Sequence, residues 1–216
     1  MDTKLNLAEE LLLLALNEEK GTVLMAASLA LSYGLSGALL VELIEAGLVR
    51  IEGKALIPAP RGSARDELLD EILGGIRSSK RTRNLNYWVG KIGRSGGAIK
   101  KKLLARLVEK GILRQEEHRL LLVFPTMRYP EIDPRPEYGI RERVRSGIRG
   151  MTSPDEHTAA LISLIHATDL TGAIFEKGER REARRRAKEI TKSQPVGSAV
   201  AHAVEAVKAA VVAAAT

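Results

Sequence analysis

Leu40-Val41-Glu42-Leu43-Ile44-Glu45-Ala46-Gly47-Leu48-Val49-Arg50 is echoed 64 residues later by Leu104-Ala105-Arg106-Leu107-Val108-Glu109-Lys110-Gly111-Ile112-Leu113-Arg114. In each copy an apolar pattern at helical spacing stops at a glycine and runs into a short β-branched or leucine-rich stretch. Glycine suits the left-handed position that ends a helix, because it has no Cβ to make that conformation costly. The first copy continues as Leu48 to Ile51, Glu52-Gly53, Lys54 to Ile57, which predicts a hairpin closed by a two-residue turn. The second continues as Ile112 to Gln115, a polar Glu116-Glu117-His118 turn, and a strand from Arg119 to Phe124. Helix, glycine stop and hairpin thus form a unit that occurs twice.

Outward from the repeat, the pattern is helical. Apolar periodicity predicts helices over 5–16, 66–76, 85–92, 137–149, 155–175, 178–192 and 198–215, with a looser Ala-rich segment over 21–35. Pro58-Ala59-Pro60 and the prolines at 125, 130, 134 and 136 mark loops, and Gly93-Arg94-Ser95-Gly96-Gly97 reads as a flexible turn. No long low-complexity linker divides the chain, so residues 1–216 are expected to form a single mostly α domain with two short β-hairpins. At 216 residues it can bury a full core.

Cysteine is absent, which excludes disulfides and thiolate chemistry and fits a reducing compartment. Glu9 and Glu10 make the first apolar run too acidic for a secretory signal. His202, Glu205 and Lys208 interrupt the Ala- and Val-rich end, which is expected to fall short of a membrane span and to pack through Val200, Val204, Val207 and Val211. The expected location is cytoplasmic.

The net charge is +7, which points to an anionic partner. From Ile72 to Val108 there is no Asp or Glu, yet Arg77, Lys80, Arg81, Arg83, Lys91, Arg94, Lys100, Lys101, Lys102 and Arg106 all fall inside. The window is either a solvated face balanced across space by Asp66, Glu67, Asp70 and Glu71, or a contact surface for anions.

Catalytic chemistry is poorly represented. His118, His157, His166 and His202 are scattered and no thiol joins them, so neither a metal site nor a cofactor is expected. His166 and Asp169 share a helical face at i, i+3 and could imitate an acid–base pair, but a half-buried histidine capped locally by its carboxylate is the preferred explanation. Gly93 to Lys100 lacks the Gly-Lys-Ser/Thr of a phosphate-binding loop and offers at most an anion nest at a helix start. The residues therefore describe a binding protein, not an enzyme. One reading is a winged-helix-type nucleic-acid binder, since a helix followed by a hairpin ends such domains. It lacks a recognition helix with exposed Arg, Asn or Gln, which makes a nucleic-acid partner the weaker choice. The other is an anionic membrane surface, met by the basic window and by the unbroken apolar run Leu120-Leu121-Leu122-Val123-Phe124.

The chain resembles the Golgi phosphoprotein 3 family, peripheral membrane proteins that bind phosphatidylinositol 4-phosphate. The resemblance rests on Leu7-Ala8-Glu9-Glu10-Leu11-Leu12-Leu13-Leu14, Tyr33-Gly34-Leu35-Ser36-Gly37-Ala38-Leu39-Leu40, Glu67-Leu68-Leu69-Asp70-Glu71-Ile72-Leu73, the Trp88 helix, Leu107-Val108-Glu109-Lys110-Gly111-Ile112-Leu113, and Leu161 to Asp169. It implies a helical bundle core wrapped by amphipathic helices, no catalysis, and a hairpin that takes part in membrane insertion and self-association. It also implies an adaptor role for membrane-enzyme clients and a homo-oligomer. The family's lipid pocket, an aromatic and three cations, falls on Ala27, Ser36, Gly97 and Lys100, so one cation of three is kept, and the basic N-terminal tail of eukaryotic members is missing, as in a bacterial-type member. The expected head-group contacts are Ser36, Arg81, Arg94, Lys100, Lys101 and Lys102. Leu120, Leu121, Leu122, Val123 and Phe124 form the expected insertion or self-association hairpin.

Overall fold

A computed structural model describes residues 4–120 and 124–214 of the protein. Its axis is the first repeat helix. The helices, in chain order, are α1 (Leu7–Leu14), α2 (Leu31–Glu45), α3 (Glu67–Arg77), α4 (Leu85–Gly93), α5 (Gly96–Glu109), α6 (Arg135–Arg149), α7 (Glu156–Ala167), α8 (Thr171–Ile174), α9 (Arg180–Ser193) and α10 (Pro195–Ala214). The strands are β1 (Val49–Glu52), β2 (Ala55–Pro58), β3 (Arg83–Asn84), β4 (Glu116–Leu120) and β5 (Phe124–Arg128).

Helix α2 is apolar on nearly every side, and such a helix belongs in an interior. It packs against α1, α4, α5, α7 and α10. Small residues let those helices close in: a Cβ on Gly34 would lie 2.3 Å from Thr168 Cγ2, and one on Gly37 would lie 2.8 Å from Val200 Cγ1. The amphipathic α6 and α9 close the outer layer over α7, and the result is mostly α, with two small antiparallel sheets. The helix starts obey local rules: Asn6 and Glu9 form a reciprocal capping box on α1, while Asp66, Asn84 and Asp155 cap α3, α4 and α7.

The two copies of the repeat lie side by side and parallel. At one end Gly96 of α5 packs on Ser32 of α2; toward the other, the Arg106 side chain feels Glu42. The 64-residue offset in sequence is thus also the register in space.

Several elements depart from expectation. The first hairpin turns at Gly53-Lys54, with Glu52 paired to Ala55, one residue later than Glu52-Gly53. Gly53 has φ +60°, and the first central turn position is where a glycine of that conformation belongs. The hairpin also gains β3 as a third strand, paired to β2. The second hairpin is displaced further. Ile112 and Leu113 are buried under the bundle; Leu113 makes an isolated bridge to Glu131 and Arg114 N–H donates to Pro130 O at 3.0 Å, but the strand ladder itself starts only at Glu116. Glu116, Glu117 and His118 are therefore strand, not turn, and the run 120–124 is not one strand: Leu120 and Phe124 are cross-strand partners. Leu121, Leu122 and Val123 lie outside the described residues.

The helix expected over 155–175 breaks after Ala167. Thr168 donates its hydroxyl back to Leu164 O at 2.7 Å and Asp169 adopts φ +60°, so the chain turns before α8. Finally, Pro195–Ala213 does have the length and apolarity to cross a membrane, contrary to the expectation from its three interruptions. In the fold, α10 packs on α2, α4, α7 and α9, with Val200, Ala201, Ala203 and Val204 buried.

Candidate functional site

The acid-free window, residues 72–108, folds as the end of α3, a loop, β3, α4 and most of α5. Tertiary structure sorts its cations into two groups. Arg77 donates to the carbonyls of Ala59 and Gly62, both at 2.9 Å. Arg83 sits over the Tyr87 ring and Lys91 over Trp88, each 4.8 Å from the centroid. Lys102 meets Glu71 at 2.6 Å, and Arg106 grips Asp66 through two hydrogen bonds of 2.7 and 3.0 Å. The acids of α3 therefore do balance part of the window across space. That leaves Lys80, Arg81, Arg94, Lys100 and Lys101, which make no side-chain hydrogen bond or ion pair among the described residues.

Three of these five, Arg94, Lys100 and Lys101, lie at the corner between α4 and α5. Helix α4 ends at Gly93, Arg94 and Ser95 make the turn, and α5 begins at Gly96. Gly93 and Gly96 are the hinge of this corner because α2 leaves no room there. A Cβ on Gly93 would come 2.3 Å from Tyr33 Cδ1, and one on Gly96 would come 2.3 Å from Ser32 Cβ. The segment expected to be a flexible turn is thus pinned. Arg94 and Lys101 are exposed and Lys100 is partly buried, one helical turn beyond Gly96 on the flank facing α2. Helix α5 opens without a side-chain cap, so its first-turn N–H groups add partial positive charge to the three side chains.

The other expected head-group residues are placed elsewhere. Ser36 is fully buried, its hydroxyl donating to Ser32 O at 2.7 Å, and so has no access to a head group; helix packing fills the space a longer polar side chain would need. Ala27 is buried as well, while Gly97 faces open space. Arg81 lies before β3, at the start of the chain leading into α4, whereas Arg94 follows the end of that helix, which is itself about 13 Å long. Lys102 is held by Glu71.

Among the described residues, strands β4 and β5 pair mainly with each other, and neither makes an extensive contact with a helix. Their base is anchored where Tyr129 N–H donates to Gly21 O at 3.1 Å. Gly21 has φ +57° and its missing Cβ would lie 2.0 Å from the Tyr129 carbonyl carbon, so no other residue fits.

Two cavities were not foreseen. A cleft of about 520 Å³ lies at the opposite end of the α2–α5 pair, with Glu9, Glu42, Glu45, Asp66, Arg106, Lys110 and His157 around it. Two of its four acids are paired: Lys110 meets Glu9 at 2.6 Å and Arg106 holds Asp66. Glu42 accepts from Ala8 N–H at 3.2 Å at the start of α1, and burial pushes its carboxyl up to about 7. The only sequence signal was an acid inside an otherwise apolar helix. A second cavity, about 190 Å³, is walled by Ile72, Trp88, Ile92 and Ile99, with Lys91 and Lys102 at its rim.

The residues that imitated catalytic groups are structural. Asp169 lies outside the helix that carries His166 and pairs with Lys208, while burial holds the His166 imidazole below its usual range. Asp66 caps α3, and Asp70 accepts from Ser63 Oγ and Ala64 N.

These features stand on a frame shared with known proteins: the model of the Golgi phosphoprotein 3 (GPP34) family matches residues 7–207, from the first turn of α1 to the middle of α10. Over that length the match takes in the two repeat helices, both hairpins and the basic corner together, and the chain belongs to the Golgi phosphoprotein 3 (GPP34) family.

Proposed function

We propose that the protein is a non-enzymatic peripheral membrane protein whose α4–α5 corner docks on anionic phospholipid, with the β4–β5 hairpin as a second contact. The observation that carries this reading is the set of three cations without internal partners, Arg94, Lys100 and Lys101, gathered at an uncapped helix start. Membership of a family named for a Golgi phosphoprotein supports a phosphoinositide-type ligand class. Within that class, the burial of Ala27 and Ser36 supports a contact governed by charge, with little preference for phosphatidylinositol 4-phosphate over phosphatidylglycerol at equal charge.

Three cations at ~1 kcal/mol each supply about 3 kcal/mol, a weak and salt-sensitive attraction. Durable residence on a membrane needs added apolar insertion or several copies acting together. A hairpin that pairs mainly with itself suits both, and an adaptor for membrane-enzyme clients needs such a platform, working from the cytoplasmic side as a homo-oligomer.

The test is sedimentation with neutral vesicles, phosphatidylglycerol vesicles, phosphoinositide vesicles and duplex DNA. Arg94→Glu with Lys100→Glu and Lys101→Glu should abolish binding to both anionic vesicles while circular dichroism and melting stay close to the parent, because none of the three holds an internal partner. Undiminished binding of the triple variant overturns the assignment of the corner. Tighter binding to DNA than to vesicles favours the nucleic-acid reading, against which stands the burial of most of α2, the first candidate recognition helix.

A further inference from the structure

The segment between α1 and α2 carries the most exposed large apolar side chain among the described residues. Met25 is 90% exposed and Leu29 is 66% exposed. Lone exposed apolar residues are ordinary on protein surfaces. This pair differs in how it is held and in what lies beside it. The turn Met25–Ala27 is a short 3-10 helix, Ser28 Oγ donates to Met25 O at 2.9 Å, and Leu24 N–H donates to Ala15 O at 2.8 Å. Ala27 and Ala30 are buried beneath it. The turn is therefore built and anchored, with its two largest side chains on the outside.

Its neighbours are the two contacts already described. At one end, Gly21 is clamped to Tyr129 at the base of the β4–β5 hairpin. At the other, Ser32 and Tyr33 press on Gly96 and Gly93, the hinge of the cationic corner. Leu29 is three residues from Ser32, at most about 10 Å of chain. Lys100 is one helical turn, roughly 6 Å, from Gly96. From Gly21 to Val41 there is no charged residue at all, so nothing on this segment repels an anionic surface.

We propose that Met25 and Leu29 form an insertion prong that enters the interfacial region of an anionic lipid bilayer while Arg94, Lys100 and Lys101 meet its phosphates. The inference rests on the lipid reading above and adds a separate apolar contact to it. Along the chain the prong lies between the residue clamped to the hairpin base and the residues that press on the cationic corner, which keeps the three contacts close to one another. Its two side chains are flexible and unbranched at Cβ, which lets them fit between lipids without a shaped pocket. Burial of such side chains does not weaken with salt, whereas the attraction of the cations does. The prong thus adds to what holds the protein on the membrane when charge is screened.

The test compares the full chain with Met25→Ser/Leu29→Ser by sedimentation with phosphatidylglycerol vesicles at low and high salt. The variant should keep the parent's melting temperature and bind roughly tenfold or more weakly, as expected from removing two apolar side chains from lipid. The parent should keep a larger salt-resistant bound fraction than the variant. In parallel, the indole introduced by Leu29→Trp should be quenched by brominated acyl chains in the vesicles, against the constant background of the buried Trp88. A parent that binds vesicles, with a serine variant that binds equally and an introduced indole that is not quenched, overturns the prong alone. A parent that binds no anionic vesicle overturns the prong together with the lipid reading beneath it.

Discussion

At Glu42 the fold pulls a side chain well away from its ordinary chemistry. It sits in the repeat as one acid among leucines, and α1 lays its first turn over it, so burial raises the carboxyl from 4.5 to about 7. Between those two values the native protein keeps a proton that the unfolded chain has released. The stability this provides is complete below the unfolded value and is lost as pH rises through about 7. Glu131, whose Oε1 has no hydrogen-bond partner, is raised to about 7 by burial and by Glu137, and works in the same direction. His157, raised by its bond to Glu10, also gives up its contribution as pH rises, while His166 opposes them below neutrality. The protein should therefore melt at a higher temperature at mildly acid than at alkaline pH. Glu42→Gln keeps an oxygen for Ala8 N–H and removes the titration. It should be more stable than the parent by about 1–3 kcal/mol at alkaline pH, with little difference in mild acid, as read by denaturant unfolding. Equal stabilities at alkaline pH would mean that Glu42 is solvated in the native protein.

At the scale of the element, the α2–α5 pair sets where the basic corner stands, and its closeness depends on glycines that look interchangeable in the sequence. Gly96 and Gly97 are adjacent, yet only Gly96 faces α2; a Cβ on Gly97 meets nothing within 4 Å. Gly96→Ala should cost about 1–3 kcal/mol, because Ser32 and its backbone must retreat. Gly97→Ala should be neutral or stabilising by up to ~1 kcal/mol through helix propensity. Denaturant melts of the two variants separate the cases, and equal effects would show that the two helices are not in contact there. The Gly96 variant should also weaken vesicle binding, since it displaces Lys100 and Arg94 together. Of this corner, the cation-rich composition was legible in the sequence. Which cations remain free was not, because Lys102 and Arg106 are silenced by acids 31 and 40 residues away. The hairpins were legible as existing elements but not in register, since pairing depends on where the bundle releases the chain.

For the molecule as a whole, the fate of α10 decides what kind of protein this is. Taken alone, its first nineteen residues are long and apolar enough to span a bilayer. In the fold, Val200 and Val204 have no exposure, whereas Val211 and Val212 are 42% and 46% exposed. A buried, unpaired carboxylate costs several kcal/mol, so Val204→Asp should leave the protein unfolded or insoluble in detergent-free buffer. Val211→Asp should leave it folded and melting within a few degrees of the parent. A spanning helix would be disrupted by either change, so the contrast between the two variants separates a bundle helix from a membrane helix.

The sequence by itself determined the repeat, the helical character, the glycine stops and the family. All of these are local: they follow from spacing, backbone freedom and short-range hydrogen bonds that a linear reading contains. Only the tertiary structure decided that α2 and α5 run in parallel register and that Ser36 lies inside. It likewise decided that five of the ten window cations are occupied, that Asp169 belongs to Lys208 rather than His166, and that α10 completes a core. Those outcomes depend on which distant surfaces meet. A side chain's charge, access and pKa are set by neighbours tens of residues away, which no local pattern specifies.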